Sequence, residues 1–180
     1  MAAVERQALW PPDRYGRLVS VSEAGAVYVA SPLGFSEPGR HYLTDVLHPR
    51  LEAEGYEVLD PWFDPYGRFA VLVETPRSEE RDTALRRLND ETGAKNALLI
   101  RQCSVVLALL DGAEPDPGTA AEVGYASALG RRVVGLRSDF RLAGDNDQSR
   151  INLQVEYFIR ASGGSLETTL DAALAALAGE

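Results

Sequence analysis

Short continuous apolar runs alternate along this chain with longer stretches of helical spacing. The first run is Ala26-Val27-Tyr28-Val29-Ala30. It is β-branched and leads into Ser31-Pro32-Leu33-Gly34, so it predicts a buried strand ending in a loop. Residues 39–54 space Tyr42, Leu43, Val46, Leu47 and Leu51 as one helix face, with a kink at Pro49 and a stop at Gly55. Tyr56 to Leu59 predicts a second strand, and residues 60–67, from Asp60 through Trp62, Phe63, Asp64 and Tyr66 to Gly67, a rigid aromatic loop. Residues 78–102 read as two helices interrupted near Gly93. Ser104 to Leu110 is the strongest strand, and its unbroken apolar run predicts burial on both faces, as in a parallel sheet. Asp116-Pro117-Gly118 opens a helix closed by Gly130. Arg132 to Leu136 predicts a fourth strand, a polar loop runs to about Arg150, and helices over about 151–160 and 166–178 finish the chain.

Strands that alternate with helices predict an α/β fold with right-handed crossovers. The expected architecture is a Rossmann-like (flavodoxin-like) parallel sheet of about five strands with helices on both faces. Residues 1–24 read as an N-terminal extension and 25–180 as a single domain. Parallel sheets bind ligands at the carboxyl ends of their strands, which places the loops after Tyr28, Leu59 and Leu110 around one crevice.

Composition narrows the partners. With 180 residues and 45% hydrophobic content the chain is long enough for a real core. The net charge of −9 argues against a nucleic-acid backbone or an anionic membrane surface as partner, since both select basic faces. A neutral nucleoside remains compatible. A single cysteine, Cys103, permits no internal disulfide and fits a reducing cytoplasm, the expected location. Two histidines and one cysteine make an N/S metal cluster a poor expectation, and there is no Gly-rich P-loop or dinucleotide fingerprint, so neither metal nor cofactor is expected.

The stretch from Asp111 to Ala126 carries the candidate chemistry. It puts Asp116 at a helix N-cap and Glu122 in the second turn, among Ala120, Ala121, Gly124 and Ala126. Small neighbours mark a tightly packed helix face, an unusual place for a carboxylate. A solvated position is the alternative. The helix N-terminus favours an ionised acid by roughly 0.3–1 kcal/mol within its first turn, and an ionised acid is what a carboxylate nucleophile must be.

At this stretch the sequence resembles the nucleoside 2-deoxyribosyltransferase family. Val27-Tyr28-Val29-Ala30-Ser31-Pro32 resembles that family's first strand and loop, and Asp116-x-Gly118-x-x-x-Glu122-x-Gly-Tyr-Ala its catalytic helix. Gly135 to Arg141 and Asn152 to Phe158 resemble its later loop and helix, so the likeness spans about residues 26 to 160 in order. The resemblance implies Glu122 as the nucleophile at the anomeric carbon. It implies Asp116 as the group that orients substrate and polarises the leaving base, with Gly118 beside it in the substrate site. Tyr28 is implied to hold the nucleophile, and Asn152 to reach the sugar 5′-hydroxyl in a neighbouring subunit's site. Homo-oligomers with shared sites, acting on nucleosides and free nucleobases, follow from the same likeness. The chain departs from the family at Asn96, where an acid/base aspartate is usual. An amide holds a base edge through donor and acceptor but delivers no proton.

Phe63, with Trp62 and Tyr66, is expected either to stack on a base or to cover the core. Asp60 is expected either to contact base or ribose or to serve the turn. Arg137, Asp139 and Arg141 read as an ion-paired loop cluster. Three functions stay open on the sequence: base exchange between 2′-deoxynucleosides, N-glycosidic hydrolysis of a nucleoside or its 5′-monophosphate, and nucleoside or nucleotide binding with little turnover. Related hydrolases of monophosphates tend to carry serine where this chain has Asn152, which favours a free 5′-hydroxyl.

Overall fold

In the computed structural model of the chain the described residues are 25–63 and 65–179. The expected N-terminal extension therefore lies outside the described residues. Five parallel strands form one sheet in the order β2-β1-β3-β4-β5. They are β1 (Ala26–Ala30), β2 (Glu57–Leu59), β3 (Val105–Leu109), β4 (Arg132–Leu136) and β5 (Leu166–Glu167). The chain steps from β1 to β2 on one side and then to β3 on the other. That reversal opens a crevice at the carboxyl ends of β1 and β3, the usual ligand position in such sheets.

Alternate residues of each strand enter two cores. Tyr28, Ala30, Val106 and Ala108 pack with Ile100 of α4 (Glu79–Gln102), with Val123 and Ala126 of α5 (Pro117–Ala128), and with Val155 and Ile159 of α6 (Leu153–Ala161). Val27, Val29, Leu107 and Leu109 face the other way. After α1 (Glu37–His41), the π-helical turn Tyr42–Leu47 and α2 (His48–Ala53) meet them through Leu43, Leu47 and Leu51, and α7 (Leu170–Ala178) through Leu174 and Leu177. All residues of β1 and β3 are buried, as continuous apolar runs covered on both faces require.

Several elements differ from the sequence-based expectation. Residues 79–102 form one helix, not two; a lone glycine costs about 1 kcal/mol relative to alanine, and Gly93 does not break a helix this long. Pro65–Glu74 is a helix, α3, where an aromatic loop and no further element were expected. The last helix starts at Leu170, because Leu166 and Glu167 first pair with Gly135 and Leu136 as an edge strand too short to show a period-2 pattern. Ahead of Pro49, where a kink was expected, the helix runs as a π-helical turn, Tyr42–Leu47, and the proline has no N–H to give to it.

The loop after β1 is shaped by Trp62. Its indole Nε1 donates to Ser31 O at 2.8 Å, and its ring edge meets Phe35 at a centroid distance of 4.4 Å. A Cβ on Gly34 would stand 2.0 Å from Trp62 Cδ2. Trp62 thus covers the core beside the crevice, the second of its two expected roles. We expect Gly34→Ala to displace the indole and destabilise the fold by about 1–3 kcal/mol. Urea unfolding followed by tryptophan emission checks this; an unchanged midpoint and spectrum would refute the contact.

Candidate active site

Three elements bring their side chains to one carboxylate. Tyr28 is fully buried in β1, and its hydroxyl donates to Glu122 Oε1 at 2.7 Å. Asn96, on α4, donates from Nδ2 to the same oxygen at 3.1 Å. Glu122 Oε2 takes no hydrogen bond among the described residues. Neither donor comes from α5 itself: one is set by the register of the sheet and the other by how α4 packs across it.

The start of α5 is fixed by Asp116, whose Oδ2 accepts from Thr119 N at 2.9 Å and from Thr119 Oγ1 at 3.2 Å. This is the N-cap expected from the sequence. Asp116 Oδ1 has no hydrogen bond among the described residues. A Cβ on Gly118 would sit 3.0 Å from Asp116 Oδ2, so glycine leaves room for the capping carboxylate.

Electrostatics at Glu122 follow from this packing. Burial pushes its carboxyl up to about 7, with the Asp116 and Asp60 charges adding to the rise and the bonds from Tyr28 and Asn96 opposing it. Burial, with Glu122 next to it, holds the Tyr28 phenol far above its ordinary range, so Tyr28 stays a donor. Glu122 is therefore neither a solvated helix residue nor an ordinary surface acid.

Asp60 follows Leu59, the register partner of Tyr28. Its oxygens are both engaged: Oδ2 lies 2.8 Å from His48 Nε2, and Oδ1 accepts from Trp62 N at 2.8 Å. The side chain of Phe63 lies outside the described residues; its backbone ends the turn Pro61–Phe63. Asn152 caps α6, its Oδ1 accepting from Gln154 N and Val155 N. It lines a cavity of about 350 Å³ with Glu114, Ala120, Asp145 and Val155, and Glu122 is not in that lining. The fold thus gathers Tyr28, Asn96, Asp116 and Glu122, and places Asn152 at the start of α6, in the cavity that Ala120 of α5 also lines.

Two polar residues here were missed by sequence reasoning. His48, weighed only as a metal ligand, is buried against Asp60 with no motif to mark it. Arg137, read as part of a loop ion-pair cluster, is buried. It donates to Leu110 O at 2.5 Å, Gly112 O at 3.0 Å and Arg141 O at 2.9 Å. Its place directly after a buried strand was the available signal. Asp139 and Arg141 do pair with each other. Among the described residues no cluster of histidine, cysteine and acidic groups is arranged to hold a metal ion, and no helix is long and apolar enough to cross a membrane.

Comparison with known proteins places this geometry. The sequence profile described as Nucleoside 2-deoxyribosyltransferase matches residues 27–158. Among solved structures, the fold is similar to the 2-desoxiribosyltransferase from Leishmania mexicana, with 20% identity, TM-score 0.60, and coverage of 86% of this chain and 97% of that one. It is similar to the 2-deoxyribosyltransferase of Bacillus psychrosaccharolyticus, with 19% identity, TM-score 0.53, and coverage of 83% and 90%. The Clostridium botulinum CMP N-glycosidase BcmB shares the fold at 18% identity and TM-score 0.50, with coverage of 83% and 94%. No curated protein sequence matches the chain. With the profile matched from the first strand through the sixth helix, the chain belongs to the nucleoside 2-deoxyribosyltransferase family.

Proposed function

We propose that the protein is a nucleoside 2-deoxyribosyltransferase, exchanging the base of 2′-deoxynucleosides through a covalent deoxyribosyl-Glu122 intermediate. One observation carries this reading. Tyr28 and Asn96 both hold Glu122 Oε1, which leaves Oε2 as the oxygen without a partner. A carboxylate so held presents one oxygen in a fixed direction.

In the first half-reaction Oε2 attacks C1′ as the C1′–N bond breaks. The bonding pair leaves with the base nitrogen, which takes up a proton. The carboxylate stabilises the oxocarbenium-like transition state and then forms the ester, as in retaining glycosidases. In the second half-reaction a nitrogen of another base attacks C1′ as the Oε2–C1′ bond breaks; Glu122 leaves as the carboxylate, and the incoming base gives up its N–H proton to solvent. Asn96 supplies no proton. Of the two carboxyls acting on Glu122, Asp60 has both oxygens engaged and Asp116 keeps Oδ1 available. We assign polarisation of the leaving base to Asp116, whose unengaged Oδ1 accepts a hydrogen bond from the base or from the water that delivers the proton. By likeness to the family, Asn152 serves the sugar 5′-hydroxyl of a neighbouring subunit's site, so the working form is a homo-oligomer with Gly118 and Phe63 on the substrate side. Hydrolysis is the second reading. Water would replace the acceptor base at the same ester, and an N-glycosidase shares this fold.

Incubation with a deoxynucleoside and a second free base should yield the exchanged nucleoside. Release of free base alone would replace transfer with hydrolysis, and binding without either product would leave a binding module. Glu122→Ala should lower turnover on the order of 10⁴-fold or more; retained turnover refutes the nucleophile.

The nucleophile must be ionised, so kcat/KM should rise about tenfold per pH unit and level off above about 7. Tyr28→Phe removes a donor that favours the carboxylate. Its pH–rate midpoint should move upward, and a midpoint that stays or falls would show that the 2.7 Å bond does not act on the reacting oxygen.

A further inference from the structure

The amide of Asn96 is only half used. Its Nδ2 donates to Glu122 Oε1 at 3.1 Å, while its Oδ1 is buried and has no hydrogen-bond partner among the described residues. The opposite orientation of the amide would set Oδ1 against Oε1, two acceptors face to face, so the ionised carboxylate fixes which end is left over. A buried acceptor without a donor opposes folding, and a ligand that brings the donor removes that cost. With Nδ2 spent on Glu122, Asn96 has no donor and acceptor together for a base edge, the role its residue type suggested.

Position points away from the base as well. A nucleophilic Oε2 comes within about 3–3.5 Å of C1′ on the face of the sugar opposite to the departing base. Oε1 and the amide that holds it belong to that same side. What a β-nucleoside turns to this side is its sugar hydroxyls. The 2′-hydroxyl of a ribose stands on the carbon next to C1′, cis to the attacking oxygen, and needs an acceptor there. Oε1 already accepts two hydrogen bonds, from Tyr28 and from Asn96. Asn96 Oδ1, on the amide beside it, is the acceptor still without a donor. Its place is fixed from below, because Ile100, one turn further along α4, is buried in the core that also holds Tyr28. We propose that this site takes ribonucleosides as well as 2′-deoxynucleosides, with Asn96 Oδ1 accepting from the 2′-hydroxyl. The inference rests on Glu122 as the nucleophile of the proposed function and extends the sugar class of that same site. A hydrogen bond to the hydroxyl next to the anomeric carbon also strengthens as charge develops at C1′.

The test is calorimetric binding to Glu122→Gln, which stops turnover and keeps a side-chain carbonyl for Tyr28 and Asn96. The ligands are adenosine, 2′-deoxyadenosine and arabinosyladenine, whose 2′-hydroxyl points to the opposite face, together with the three cytosine counterparts. The ribonucleoside should bind about 3–10-fold more tightly than the other two, the worth of one neutral hydrogen bond. With Asn96→Ala added the preference should vanish, and Asn96→Leu, which refills the space, should give the same result. A ribonucleoside that binds no better than its deoxy counterpart overturns the inference. So does a preference that survives the loss of Asn96, which would assign the 2′-hydroxyl to another acceptor such as Tyr28 Oη. With Glu122 intact both sugars should be turned over, and Asn96→Ala should lower kcat/KM for the ribonucleoside by a further factor of about 3–10 relative to the deoxynucleoside. A merely structural role would lower both alike. Absence of base exchange alongside an Asn96-dependent ribose preference refutes the proposed function and not the contact; absence of binding by all six nucleosides refutes both.

Discussion

The hydrogen bond from Tyr28 to Glu122 is the constraint on which the rest of the site depends. A tyrosine fully buried in the middle of a two-faced strand must find an acceptor for its hydroxyl. A half-buried carboxyl on α5 must find donors. Each meets the other's need only if α5 lies close over the sheet. That approach is made through Val123 and Ala126 of α5, which pack in one core with Tyr28, Ala30, Val106 and Ala108 of the sheet. The Asp116 cap then sets where α5 begins, and so where in its second turn the carboxyl falls.

Burying that carboxyl opposes folding once it ionises. Its proton leaves at about 7 in the folded chain, against an ordinary value of 4.5. Between those values the folded state holds a proton that the unfolded state has lost. The contribution of Glu122 to stability therefore falls as pH rises from 4.5 to about 7 and is level beyond. The donors from Tyr28 and Asn96 reduce this cost without removing it, because burial is the larger effect. The pH range in which Glu122 becomes reactive is thus the range in which it has finished destabilising the fold, as expected of a site selected for reactivity rather than stability.

The sheet and its helices were legible because period and punctuation report them. Continuous apolar runs at Ala26–Ala30 and Val105–Leu109 announce parallel strands, and Asp116-Pro117-Gly118 announces a helix start. What stayed hidden depends on tertiary partners. Leu166 and Glu167 are a strand only because β4 lies beside them. Gly93 reads as a break but sits in a continuous helix. The approach of Asn96 to Glu122 is set by the crossing of α4 and α5, which no local pattern encodes. Likewise nothing in residues 48 to 60 says that the histidine and the aspartate meet.

The two sides of the crevice are braced alike, by buried polar groups that bond to the chain itself. On the β1–β2 side, Asp60 joins His48, the turn at Trp62 and, through the indole, Ser31. On the β3–β4 side, the buried Arg137 guanidinium ties Leu110 O and Gly112 O to Arg141 O, while Asp111 accepts from Ser138 Oγ and Asp139 N. A cation buried against carbonyls alone is a poor route to stability, since its desolvation is only partly offset. It does hold the connection from β3 toward α5 in one shape. Rigid walls of this kind satisfy their own polar groups and leave Glu122 Oε2 unengaged between them. Between them the oxygens without a partner are Glu122 Oε2, Asp116 Oδ1 and the buried Asn96 Oδ1, so the atoms open to a substrate are gathered at one place.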